Sequence, residues 1–430
     1  MKAPLCFGWR DTVVLSAVAL LLGPVSGADF QGSTHLVPFE EDNIQYGKTA
    51  ATGPIQKLQE RLDAGQVTLG WEERFGYLRS LLGALQVPEA SQMLVFSKTS
   101  FQRDRISPVN PRAVYFNEDV YVGYVPGSPV LELSMADPRL GGVFYTLDNR
   151  RTNRVRFMRT DSCLECHAGA KTMGVPGHLI RSFATDENGV QDLLSGGEVI
   201  THRTPLVERW GGWFVTGQHG AQIHRGNLVG AGDHARQMRE PNFVGNKSSL
   251  MDLPSQFDVG RYPKGTSDIV ALMVMDHQAH MHNFLTRLQY EATIQLKAYG
   301  HCNYIKSPIE AFLRYLLFIE EIPLTAPISG SPEFAAAFQK DGVRDAKGRS
   351  LREFDLKRRM FRYPCSYLIH SEAFRTLPTE LKTRIYHRLW AILNGEDESP
   401  EWARLTQSDR RAVLEILTET VPDLPAYWKL

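Results

Sequence analysis

RAVYFNEDVYVGYVPGSPVLELSMADPRLGGVFYTLD, residues 112–148, is a succession of short runs rich in Val, Tyr, Phe and Leu, broken by Asn117, Asp119, Pro126, Gly127, Pro129, Pro138 and Gly141. Short β-branched and aromatic runs between turn formers read as strands joined by tight connections. The pattern predicts strands at Arg112 to Phe116, Val120 to Val125, Val130 to Ser134 and Gly142 to Leu147. Outward from this stretch the same signal marks Met93 to Phe96, Arg154 to Met158, His178 to Thr185 and Gly212 to Thr216. In the last of these, Trp213 and Val215 fall on one face and Phe214 and Thr216 on the other.

Beyond the strands the apolar spacing becomes helical. Ile55 to Ala64 and Trp71 to Leu85 precede the sheet, with Gly65 and Pro88 as stops. Residues 240–266 are dense in Pro, Gly, Ser and Asn and read as a linker. After it, Ser267 or Asp268 can cap a long helix to about Leu296, and Pro308 to Ile319, Pro332 to Lys340, Pro378 to Leu393 and Ser408 to Thr420 follow. The expected fold is α+β, a sheet-rich domain followed by an all-α domain. Its expected divisions are 29–90 helical, 91–239 sheet-rich, 240–266 linker and 267–430 helical.

Directly after the strand run comes Cys163-Leu164-Glu165-Cys166-His167. Two cysteines around two residues, followed at once by histidine, form the attachment signature for c-type haem. One tight turn presents both thiols to the porphyrin vinyl groups, and His167 then lies under the iron as proximal ligand. A zinc site would need a second ligand pair, and the chain has no second CxxC. A thioredoxin-like dithiol would want a βαβ junction, which the flanks do not suggest.

The first 28 residues agree with an exported haem protein. Lys2 and Arg10 precede the apolar run Thr12 to Leu22, and Ser26-Gly27-Ala28 offers a small-residue cleavage site. Residues 1–28 read as a secretory signal peptide, whose apolar core of about eleven residues is short of the ~20 that span a bilayer. No other stretch approaches that length, so no integral span is expected after cleavage, and a periplasmic or otherwise exported location follows; an uncleaved anchor is the alternative. Lys plus Arg and Asp plus Glu are 48 each, which leaves no broad field to attract nucleic acid. Cys302 and Cys365 could pair in an oxidising compartment, closing a loop of about 64 residues worth roughly 4 kcal/mol.

What fills the sixth iron position separates electron transfer from catalysis. His219, in the glycine-flanked loop after Gly212 to Thr216, is one candidate, with His224 nearby. His277 is a second; at 100° per residue it shares an apolar face with Val270, Val274, Met281, Phe284 and Leu288, while His280 lies at the edge and His282 points away. Asp276, His280 and His282 could form a supporting or separate metal cluster. Met173 and His178 rank below His219, and Met158 reads as a core residue of its strand. Arg154, Arg156, Arg159, Arg181 and Arg203 are near the motif in sequence and could meet haem propionates.

By Cys163, Cys166 and His167 the chain resembles the c-type cytochromes, although strands replace the short helical domain of their small members. The turn Asp186-Glu187-Asn188-Gly189 between strand signals looks like that of PAS or Cache-type haem sensor domains. Arg112 to Val125, Gly211 to Gly220 and Arg362 to Leu368 are similar to segments of large exported bacterial cytochrome-like proteins, a group that implies no substrate. The resemblance implies one covalent haem c and single-electron exchange with a redox partner protein or a small-molecule oxidant. A haem enzyme or gas sensor with an exchangeable distal site is the alternative.

Overall fold

The computed structural model describes residues 36–430, except 193–196, 254–256 and 429–430. The signal expected over residues 1–28 lies outside the described residues. No described helix is long and apolar enough to cross a membrane.

The strand run folds as an antiparallel meander: β1 Met93–Val95, β2 Arg112–Phe116, β3 Val120–Tyr124, β4 Val130–Asp137, β5 Gly141–Asp148 and β6 Phe157–Arg159. A seventh strand, which becomes β9 in chain order, adds beside β1. Between them, β7 (Arg181–Phe183) and β8 (Gly197–Val199) pair separately, and Trp213–Phe214 is β9. The fold is therefore α+β, a seven-stranded antiparallel sheet in the N-terminal half and a helical C-terminal region.

Side-chain alternation gives the sheet two different faces. Leu94, Ala113, Tyr115, Val120, Val122, Leu131, Leu133, Val143, Tyr145, Leu147, Phe157 and Phe214 form one core with the N-terminal helices α1 (Pro54–Asp63) and α2 (Leu78–Ala84). Met93, Val95, Val114, Phe116, Tyr121, Trp213 and Val215 belong to a second core, continuous with the helices that follow. Trp213 and Phe214 divide between the two as their alternation predicts.

Within the segment expected as a linker, residues 240–266, Leu250, Leu253 and Tyr262 join the first core, and Gln92 Nε2 donates to the Lys264 and Thr266 carbonyls. Before them, Gly230–Arg239 forms α4, which sequence periodicity did not mark. A one-turn helix, α3, spans Leu164–His167.

The central element is α5, Ile269–Tyr299. Asp268 Oδ1 accepts from Ala271 N at 2.8 Å and starts it; Gly300, at φ 72°, takes the left-handed turn that ends it. The single buried face expected for this helix is not what forms. Every residue from Ile269 to Leu288 is buried, because the helix runs between the sheet and the helices behind it. His282, expected to point away, is buried and reaches the Glu118 carbonyl with Nε2 at 2.9 Å. Toward the sheet, Gln278 Nε2 donates to Asn117 O and Tyr121 Oη. On the far side lie α6 (Lys306–Leu316), α7 (Pro332–Lys340), the short α8 (Glu372–Arg375), α9 (Thr379–Leu393) and α10 (Gln407–Thr420). Cys302 and Cys365 are buried free thiols with no bridge between them.

Candidate haem site

The chain leaves β6 at Arg159 and turns within three residues into the Cys163–His167 segment. Backbone N–H groups of Cys166 and His167 both donate to Cys163 O, at 3.2 and 3.0 Å, so one helical turn fixes the motif. Residues three and four apart share a face of such a turn, which sets both thiols and the imidazole on one side. Cys163 is half-buried and Cys166 exposed, and neither is in a disulfide.

His167 is held from two directions. Its carbonyl accepts from Gly177 N at 2.8 Å, and its Nδ1 lies 2.9 Å from the Gly177 carbonyl oxygen. A carbonyl only accepts, so Nδ1 carries the hydrogen and Nε2 keeps its lone pair. No protein group bonds Nε2 among the described residues. Phe144, on β5, packs its ring 4.8 Å from the imidazole. Burial holds His167 below the ordinary imidazole value, which keeps it neutral and competent to bind metal.

The Gly177 carbonyl is itself positioned. Asn283 of α5 clamps the next residue like a strand partner, accepting from His178 N at 2.8 Å and donating to His178 O at 2.7 Å. A Cβ at position 177 would sit 2.2 Å from Asn283 Oδ1, so only glycine fits under this clamp. Thr172 Oγ1 donates to Val175 O, and Arg287 Nη1 to Met173 O, which ties the rest of the loop to α5.

Burial raises the Cys163 thiol to about 11, with Glu132 adding to the rise and Arg112 opposing it. Reactive dithiols have depressed values instead. No group of three His, Cys, Asp or Glu side chains able to hold a metal ion occurs among the described residues. The residues present fit a thioether-tethered haem with one histidine nitrogen.

Cations near the motif are Arg112, Lys171 and Arg181. Arg112 pairs with Glu132 at 2.9 Å, and Arg181 donates to Gly197 O and lies 4.2 Å over the Phe183 ring. Of the five arginines close in sequence, Arg154 and Arg156 are exposed elsewhere. Arg159 donates to the Tyr46 and Thr49 carbonyls, and Arg203 pairs with Glu320. Arg112 was missed because only strand pairing brings it beside Cys163.

The sixth-ligand candidates go different ways. His219 is buried with both nitrogens beside carbonyls, Nδ1 at 2.6 Å from Gln222 O and Nε2 at 3.1 Å from Gly245 O. Its loop packs on Ile269 at the start of α5, whereas the His167 loop packs at Asn283, about 21 Å further along that helix. His224 meets His219 edge to face, with ring centroids 4.7 Å apart. His277 faces the helical side, with Nδ1 2.8 Å from His202 Nδ1 and Nε2 2.7 Å from Ser366 Oγ. Neither His219 nor His277 is brought to His167. Asp276 meets Arg209 and Trp210, and His280 meets Arg203, so they form no metal cluster with His282. Met173 is buried in the second core. His178 lies beside Phe144, with Nε2 3.1 Å from Ser134 Oγ. Met158 is not a core residue; it is 58% exposed.

These buried imidazoles make the fold sensitive to acid. Burial depresses His178, His202 and His280 well below 6.5, His224 and His277 to about 3, and His282 and His370 to about 4. Burial also raises Asp119, Asp276 and Glu321 to about 7, Asp268 to about 6, and Glu118 in the same direction. Below pH 6.5 the unfolded histidines bind protons that the folded ones refuse, while the folded carboxyls hold protons that the unfolded ones release. His167 and His234 are depressed as well, so the lowered histidines outnumber the raised carboxyls, and unfolding near pH 5 takes up protons and stability falls on acidification. Urea titrations between pH 7 and 5 check this; a midpoint that holds or rises as pH falls contradicts it.

No protein-family model, no curated protein and no solved structure matches the chain.

Proposed function

We propose that the chain carries one haem c, joined through Cys163 and Cys166 and ligated by His167 Nε2, and passes single electrons to or from a partner protein or small-molecule oxidant outside the cytoplasm. The observation that carries this reading is the His167 imidazole, whose Nδ1–H is spent on the Gly177 carbonyl while Nε2 stays free. Metal-ligating histidines are oriented in this way, and the carbonyl raises the basicity of the ligating nitrogen. Haem held there supplies a one-electron iron couple. The protein's share is to tether through two thiols on one turn, to fix the imidazole tautomer, and to pack Phe144 against the ring.

Exposure of Cys166 favours a carrier, since one tethered edge then lies at the surface where a partner can approach. A sensory use, which the PAS or Cache-type likeness implies, predicts ready binding of carbon monoxide or cyanide instead. The exported location rests on the signal read in residues 1–28.

Expression in a bacterial host with working haem-attachment machinery tests the reading. The expected product has the mass of the processed chain plus one haem, keeps its colour on a denaturing gel, and gives a six-coordinate low-spin spectrum. A colourless product at the bare-chain mass overturns it.

A further inference from the structure

Sheet register places a methionine beside the motif histidine. Phe144, which packs on His167, and Thr146 are two apart on β5 and share a face. Thr146 pairs with Met158 on β6, so Met158 shares that face as well. Its strand neighbours turn the other way: Phe157 joins the core under the N-terminal helices, and Arg159 reaches the Tyr46 and Thr49 carbonyls on that side. Two residues along β5 and one strand across put the Met158 backbone about 8 Å from that of Phe144. Five residues later the chain reaches Cys163, on the same side of the sheet, where Glu132 and Arg112 act on its thiol.

Exposure alone does not select Met158, since Met238 and Met251 are also exposed. What selects it is the combination of a free thioether, an edge strand, and the sheet face that His167 packs on. No competing candidate has all three. His219 and His277 are directed elsewhere, Met173 is buried in the second core, and His178 is buried with its Nε2 on Ser134 Oγ.

We propose that Met158 Sδ would serve, with His167 Nε2, as the second protein ligand of the haem iron. This rests on the haem reading above. Sulfur donates a lone pair to iron without redox change or proton release, and histidine–methionine ligation raises the reduction potential, as suits an electron carrier. Upstream placement on a strand explains why no ligand methionine follows the motif at the usual position.

The test compares haem-loaded wild type with Met158→Leu and Met173→Leu, by intact mass, by optical and EPR spectra, and by redox titration. The proposal expects all three to carry one haem by mass. Wild type and Met173→Leu should share a low-spin spectrum with a sulfur-to-iron charge-transfer band. Met158→Leu should lose the band, titrate at a lower potential and bind carbon monoxide readily. Since Met158 is solvent-facing, its replacement should leave the thermal midpoint of the haem-free chain unchanged. A haem-loaded Met158→Leu with the wild-type band and potential overturns the ligand assignment alone, as does a haem-loaded wild type that is high-spin. Absence of haem by mass overturns the haem reading and the ligand with it.

Discussion

Cys163→Ser combined with Cys166→Ser is expected to abolish covalent haem completely while leaving the polypeptide folded. The reason is a separation of roles within one helical turn. Backbone hydrogen bonds to Cys163 O fix the turn, and no thiol takes part in them. Neither side chain belongs to an apolar core, and neither is bridged. Serine in place of cysteine costs only a few tenths of a kcal/mol in such a setting. The urea midpoint of the haem-free variant should therefore match that of haem-free wild type within about 0.5 kcal/mol.

Covalent attachment, by contrast, has no second route. With both thiols gone, His167 Nε2 can hold haem by coordination alone, and denaturation releases it. Matured side by side, wild type should stain for haem on a denaturing gel and the double variant should not. Haem that survives denaturation in the double variant would falsify the assignment of the thioether links to this motif. Cys302 and Cys365 supply an internal control, for both are buried and remain free thiols in either protein.

How far the sequence reaches is clear from particular elements. The runs at Arg112 to Phe116 and Val120 to Val125 became β2 and β3 almost residue for residue, because turn formers bound them on both sides. Pro332 to Lys340 became α7 with the same ends, and Asp268 capped α5. Helix α4 escaped because Gly230 and Gly232 dilute its signal. The face of α5 was misread for a deeper reason. A 100° projection assumes one buried side, and a helix enclosed by a sheet and other helices has no solvated side to contrast with it.

Site residues divide along the same line. Cys163, Cys166 and His167 are local in sequence, so spacing alone picks them out. Gly177, Asn283 and Phe144 join the site through long-range contacts, and nothing in the local pattern announces them. Met158 shows the limit most plainly. Alternation says that it faces opposite Phe157, but only strand pairing says which face is the core.

The largest stability effect of a single substitution is expected at Asp276→Ala, on the far side of α5 from the motif. Asp276 is fully buried; its Oδ2 accepts from Trp210 Nε1 at 3.0 Å and lies 3.6 Å from Arg209 Nη1. Arg209 is buried too, donating from Nε to Thr204 O and from Nη2 to His202 O. Deleting the carboxylate leaves a buried guanidinium without its facing counter-charge and an indole N–H without an acceptor. Breaking one partner of such a pair costs about 3–5 kcal/mol. Because burial raises Asp276 to about 7, the carboxyl is neutral below pH 6 and ionised above pH 8. The folded carboxyl holds a proton that the unfolded one has released, so wild type loses part of the Asp276 contribution as pH rises through 7, and the cost of Asp276→Ala should shrink by about 1 kcal/mol from pH 6 to pH 8. Asp276→Asn keeps an acceptor for Trp210, so it should cost less than Asp276→Ala at both pH values, and its cost should shrink in parallel as pH rises. Urea denaturation of the three proteins at both pH values reads this directly. Haem attachment should be untouched throughout, since Asn283 and not Asp276 holds the His167 loop. A loss below about 1 kcal/mol at pH 8 would show that Arg209 is neutralised from elsewhere, and Glu321, which also acts on its charge, would be the group to replace next.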